Sequence, residues 1–330
     1  MRFSIIIIIT LFICCETSNE KSKNLVVTNS TSKFTSDSIF ITSISSIETD
    51  KSKLYISDFE LNKILVLDSN LKFLYSIGTE GRGPSELNGT SHVIAQNDSL
   101  IVYSEFEKKF NLYHERSYLK SFYLDKEIEY DRDLRFTFDK GNIYLSNINR
   151  NNSIYKLDLH NYSVNGFEEV IRYNDEKYNS EVKSKSHVLR FKKHLLIIMD
   201  NQPIIKLFNQ DSLNITNTFS YNNIPEIINR IKFIEENVKG NNVYAEIVQD
   251  VYLNNNQLFI LIHTNDPNNG NKWDCNTVLC FNLTDNEILL KNIYKFSNFC
   301  LSNIMVIDNY LYSFDEISGD FYKFDLTDRG

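Results

Sequence analysis

Short apolar runs separated by polar turns recur along the chain from about residue 39 to its end. Leu54-Tyr55-Ile56-Ser57-Asp58 leads through a turn to Ile64-Leu65-Val66-Leu67-Asp68, and Leu311-Tyr312-Ser313-Phe314-Asp315 leads likewise to Phe321-Tyr322-Lys323-Phe324-Asp325. Runs this short, rich in β-branched and aromatic residues and bounded by Asp, Asn and Ser, predict strands joined as hairpins. The same pairing returns at Ile101 to Tyr113, Tyr144 to Leu157 and Leu196 to Phe208. It returns once more at Phe259 to Leu283, where extra residues around Pro267 and Gly270 read as a long hairpin loop. The units start at Tyr55, Ile101, Tyr144, Leu196, Phe259 and Tyr312, so successive starts lie 43 to 63 residues apart.

A coarse period of this size with several strands per unit predicts an all-β fold, a six-bladed β-propeller, in which each sheet covers its faces only by packing on its neighbours. The last unit has an inner strand near Asn303 to Ile307 and two further strands, and then the chain stops. The apolar island Leu25-Val26-Val27 is therefore expected to supply an N-terminal strand that closes the last blade and removes an unpaired edge. One stretch breaks the β pattern: after Ile224-Pro225-Glu226, Ile227, Ile231, Ile234 and Val238 recur at helical spacing up to Gly240. This predicts a short helix at about 224–239, packed over a blade edge between the fourth and fifth units.

The N-terminus carries a different pattern. Arg2 precedes an apolar run from Ile5 to Ile13, too short to span a bilayer, and Cys14 and Cys15 follow before a polar stretch. The run reads as the core of a signal peptide over residues 1–15. A cysteine at its end resembles a bacterial lipoprotein signal, with Cys15 as the expected lipidated residue and Cys14 as the alternative. Residues 16–36 then form a tether with the possible closing strand, and 37–330 the propeller. This places the protein in a bacterial cell envelope, anchored to a membrane through its lipid, with the outer membrane expected.

Composition narrows the partners. Of 330 residues, 42% are hydrophobic and 24% charged, as in an ordinary globular protein, and Tyr 19 and Phe 23 against Pro 4 suit pleated strands. A formal net charge of -8 opposes binding to phosphate backbones, so nucleic acid is excluded as a partner. Cys275, Cys280 and Cys300 make an odd set, expected to pack as buried thiols, with Cys280 and Cys300 the one pair to test as a disulfide.

The segment from Leu54 to Asp68, with Phe73-Leu74-Tyr75-Ser76-Ile77-Gly78 and Gly81-Arg82-Gly83-Pro84-Ser85-Glu86-Leu87 after it, resembles the repeat of NHL-type propellers. It is similar in particular to the six-bladed propeller lipoproteins of Bacteroidetes, whose first blade ends in such a glycine-rich turn. The resemblance implies the fold and the location rather than a chemistry.

Four features carry candidate chemistry. Gly81, Arg82 and Gly83 can offer backbone N–H groups and a guanidinium to an anionic or sugar ligand, or simply shape the crossing between blades. Asp58, Asp315, Ser104 and Asn147 follow equivalent strands and so approach one rim, as ligands or as turn caps, with Met199 and Ile262 interrupting the set. Trp273, in the loop from His263 to Asp274, can stack on a sugar. Asp266, Asn268 and Asp274 in the same loop are weak candidates for a Ca2+ site, since the spacing departs from an EF-hand. No zinc spacing, catalytic His motif or nucleophile elbow occurs, so no catalytic residue and no other cofactor is expected. The expected function is a monomeric binding or scaffold module for a glycan, peptide or protein partner. The alternative is a propeller enzyme of lyase, lactonase or glycosidase type with its site at the channel mouth.

Overall fold

In the computed structural model, described for residues 22–25, 27–31, 41–50, 52–125, 128–147, 152–168, 184–237, 245–264, 274–296 and 298–327, six antiparallel sheets follow one another along the chain. Two strands precede them, β1 (Ser22–Asn24) and β2 (Val27–Thr31). The first blade holds β3 to β6 (Ile44–Asp50, Lys53–Asp58, Lys63–Asp68, Phe73–Ile77), and the second β7 to β10 (Thr90–Gln96, Ser99–Ser104, Lys109–His114, Ser117–Tyr123). The third holds β11 to β14 (Thr137–Asp139, Asn142–Ser146, Ile154–Asp158, Val164–Gly166), and the fourth β15 to β18 (Ser186–Phe191, His194–Met199, Ile204–Asn209, Ile215–Ser220). Helix α1 (Pro225–Asn237) leads to the fifth, β19 to β22 (Val248–Asn254, Gln257–Thr264, Asp274–Leu283, Ile288–Lys295). The sixth has β23 to β25 (Leu301–Ile307, Tyr310–Asp315, Asp320–Asp325).

The N-terminal strands complete this ring. β2 pairs antiparallel with β25 through Val27 with Phe324 and Thr31 with Phe321, giving the sixth blade its fourth strand as the sequence predicts. β1, which the pattern did not announce, adds a parallel fifth strand to β22 of the fifth blade.

Apolar residues occupy consecutive strand positions because both faces of each blade are buried. Along β5, Ile64 and Val66 pack toward the second blade with Val93, Leu100 and Val102, whereas Leu65 and Leu67 pack the other way with Leu311 and Phe324 of the sixth. Each further interface has its own apolar layer: Tyr103 and Phe110 against Ile143 and Leu145, Ile154 against Val188 and Leu195, and Ile198 and Ile205 against Val251 and Ile260. Outer strands such as β18 are exposed and read as polar.

The hairpins turn tightly where residues tolerate left-handed backbone. Asn97 and Asp98 (φ 52° and 60°) join β7 to β8, and Lys140 and Gly141 (φ 47° and 81°) join β11 to β12. Four inner strands, β3, β7, β19 and β23, each carry an extra residue opposite the second strand near their N-terminal ends. Such bulges free backbone groups to meet the neighbouring blade. Val93 N donates to Ser46 Oγ at 3.0 Å, and Ile304 N donates to Asp250 Oδ2 at 2.8 Å. The helix lies at the predicted place, burying Ile227 and Arg230 and packing against β20.

Candidate functional site

Because inner and second strands run antiparallel, the loops that cross between blades and the loops that join second to third strands lie on one rim. The backbone registers this: Phe59 N donates to Ser43 O, Glu105 N to Gly89 O, His263 N to Ile247 O and Glu316 N to Cys300 O. The polar residues at the ends of the second strands tie the crossing loops to this rim. Asp58 accepts from Thr42 N and Leu61 N, Asp315 from Cys300 N and Ser318 N, Ser104 from Asn88 N, and Asn147 from Glu129 N. All four are buried, so their oxygens serve the loops rather than face the channel.

The glycine-rich turn is also occupied from within. Glu86 Oε2 accepts Gly83 N at 2.7 Å, and a Cβ on Gly81, whose φ is 152°, would stand 2.0 Å from the same oxygen. The Gly83 N–H thus holds the chain's own carboxylate, while Gly81 N donates to Leu87 O. Side chains of the second blade take the four carbonyls beneath it: Lys109 Nζ that of Gly83, Ser121 Oγ that of Pro84, Tyr113 OH that of Ser85 and Asn111 Nδ2 that of Glu86. Arg82 alone of the turn's candidates projects into solvent. Trp273, Asp266 and Asn268 lie outside the described residues, as do Cys14 and Cys15. Asp274 opens β21 opposite Thr264. Among the described residues, no three His, Cys, Asp or Glu side chains are arranged to hold a metal.

What the sequence did not reveal is the channel. Arg135, just ahead of β11, is 2% exposed and lies across the axis. Its Nε and Nη2 donate to both oxygens of Asp250 in the fifth blade at 2.7 and 2.8 Å, and Nη2 also donates to Ile304 O in the sixth. Nη1 donates to Ile47 O in the first blade and stands 3.6 Å from Glu48, while the backbone N of Arg135 donates to His187 Nδ1 in the fourth. Burial alone would lower the guanidinium pKa, but the charge and hydrogen bonds of Asp250 raise it. Burial pushes the Glu48 carboxyl up to about 7 against the pull of Arg135, and pushes His187 down to about 4. Below this plug, a recess of about 190 Å³ opens at the opposite mouth between Glu48, His92, Gln96 and Arg190.

On the loop-bearing rim, a larger cleft of about 460 Å³ opens between the second and third blades. Phe106 forms one wall with 63% of its surface exposed, backed by Phe59 at 5.6 Å between ring centroids and by Gly89, whose bare Cα admits the ring. Arg132 stacks on Phe59 at 4.8 Å and Lys108 lies beside it. Glu105, Glu129 and Asp131 supply carboxylates. Glu105 Oε2 is buried and meets no hydrogen-bond donor among the described residues. Burial raises the Glu105 carboxyl, with Asp131 adding to that and Arg132 opposing it. Farther round the same rim, Lys185 pairs with Asp131, and His263 Nε2 stands 3.5 Å from Glu246 Oε2.

No protein-family model matches the chain, and no curated protein matches its sequence. Solved structures do share its architecture. An exported protein of Bacteroides fragilis NCTC 9343 superposes with a TM-score of 0.57 over 88% of this chain and 87% of its own, at 14% identity. A member of the DUF4221 family from Bacteroides vulgatus ATCC 8482 gives 0.58 over 91% and 97%, at 11% identity. The β-propeller domain of Cps50 (Swd1) from Myceliophteria thermophila gives 0.54 over 92% and 100%, at 7% identity. The fold is common to all three. At such identities the likeness carries no activity with it.

Proposed function

We propose that this propeller is a binding module of the bacterial envelope that takes its ligand in the cleft between the second and third blades. The observation that carries the reading is Glu105 Oε2, a buried acceptor left without a donor beside an exposed aromatic wall. A buried acceptor without a donor forfeits about 1–3 kcal/mol of hydration, and of the buried polar atoms so placed among the described residues, Glu105 Oε2 is the one on this cleft. A ligand bringing an O–H or N–H donor next to an apolar face would satisfy Glu105 and cover Phe106 together. A pyranose ring and a basic side chain of a peptide both have that chemistry. Titration of the purified protein against neutral oligosaccharides and against Lys- and Arg-containing peptides separates the two. Glu105→Gln and Phe106→Ala are each expected to weaken the ligand that binds by roughly tenfold, the effect of about 1.4 kcal/mol. Unchanged affinity in both variants removes the cleft from the reading.

Location belongs to the same proposal. The apolar run before Cys14 and Cys15, and the likeness in fold to an exported Bacteroides protein, support export and lipidation at Cys15 or Cys14. Only residues 16–21 separate Cys15 from β1, a reach of roughly 25 Å at full extension, so the lipid would hold the fifth blade's outer edge near the bilayer. In a ring of six, the second and third blades stand opposite the fifth and sixth, which turns the cleft away from the anchor. Mass spectrometry of the mature N-terminus checks the anchor: a diacylglyceryl cysteine is expected, and an unmodified residue beyond Cys15 excludes it.

The enzyme alternative keeps one supporting observation, the gathering of Asp131, Lys185, Glu246 and His263 on the same rim. Turnover of a polyuronide, lactone or glycoside that falls in His263→Ala would favour it over binding alone.

A further inference from the structure

We propose that Cys275 and Cys300 form a reversible dithiol–disulfide site at the junction of the fifth and sixth blades. Cys275 is the second residue of β21 and Cys300 immediately precedes β23; both pack into one apolar layer between the two blades, where their side chains, 25 positions apart, come into hydrogen-bond contact. Cys300 is partly exposed on the rim, whereas Cys275 is 4% exposed and has His263 Nδ1 2.9 Å from its sulfur. The far side of that imidazole faces Glu246, whose side chain is 38% exposed and whose backbone carbonyl accepts two bonds from buried Arg230. The order thiol, thiol, imidazole, carboxylate therefore runs from one opening of the rim to another.

The arrangement divides the two thiols by role. The hydrogen bond from Cys275 holds the Cys300 thiol down at about 7 despite burial, while the same bond, with burial, pushes Cys275 up. Cys300 is thus the accessible thiolate, and Cys275 the sheltered resolving thiol. With a disulfide donor R–S–S–R, the Cys300 thiolate attacks one sulfur, forming Cys300–S–S–R and releasing R–S⁻. Cys275 passes its proton through His263 and attacks Cys300 Sγ, forming the Cys275–Cys300 disulfide and releasing the second R–S⁻. The two protons of the protein thiols end on the two released thiolates; the pair is oxidised by two electrons and the donor is reduced by two.

Glutathione disulfide is the probe. Treated with it, the full-length protein is expected to lose two hydrogens and yield a peptide linking Cys275 to Cys300, with Cys280 still open to alkylation after unfolding; reduced glutathione reverses the change. Cys275→Ser should trap a glutathione adduct on Cys300. His263→Gln should slow ring closure by at least roughly tenfold while leaving the first, bimolecular step unchanged, a separation that mere loosening of the rim would not produce. A link from Cys280 to either partner, a mixed disulfide on Cys300 in the parent protein that never closes, or Cys275, Cys280 and Cys300 all remaining alkylable overturns the proposal.

Discussion

Arg135 and Glu48 share the channel but answer to different perturbations. Replacing Arg135 by Ala would leave Asp250 buried with its charge uncompensated, and a break of this kind costs about 3–5 kcal/mol. Chemical denaturation should show that loss, and Arg135→Met with Asp250→Leu should recover part of it, since neither charge then remains. Glu48 sets a pH dependence. Its carboxyl is expected to keep its proton up to about 7 in the fold but to lose it from 4.5 in the unfolded chain. Its stabilising contribution is therefore full below pH 4.5 and is lost as pH rises through 7, on the order of 2 kcal/mol after allowance for the 19% of the side chain that meets solvent. Denaturation of the parent and Glu48→Gln at pH 5 and pH 8 reads this as a difference that shrinks with pH; parallel behaviour contradicts it. Neither residue stood out in the sequence. Arg135 follows Asp131-Arg132-Asp133 and looks like part of a solvated charge run, and only its flanking by Leu134 and Phe136, both buried, hinted at an inward direction. Asp58 and Asp315 were legible as a repeated position, but whether they faced a ligand or a loop depended on N–H groups contributed by distant crossings.

At the scale of the element, apolar runs with polar turns located the blade strands because two buried faces leave little room for polar residues between the ends. β1 escaped notice because Ser22-Lys23-Asn24 has no apolar signal; its backbone pairs in parallel with β22. The sequence also pointed to the wrong neighbour for Cys300. Cys280 lies mid-strand opposite Phe259 and Asn292, whereas Cys275, five positions earlier, is the second residue of β21, at the rim. Strand order predicts no such contact; the packing angle of two blades does. The closing strand gives a direct test. Val27→Pro combined with Ser30→Pro removes two backbone donors from β2 and bars it from lying regularly against β25, which exposes that edge. A fall in thermal stability and concentration-dependent association are expected by differential scanning fluorimetry and light scattering. A monomer with unchanged melting would show that β25 does not rely on β2.

For the whole molecule, a single guanidinium touching the first, fifth and sixth blades, with its own backbone on the fourth, makes the sheets interdependent. Linear repeat arrays lose units one at a time from their ends. Here no blade can leave without stranding a buried charge or opening two apolar interfaces, so one cooperative unfolding step is favoured over several. The union of β2 with β25 also has a consequence in time. Thr28 Oγ1 meets Lys323 O across 295 positions, so β2, made well before any blade, waits for β25 before it has a partner. Ring closure becomes the final event of biogenesis, and a nascent or prematurely terminated chain carries two sticky margins that only completed synthesis can bring together.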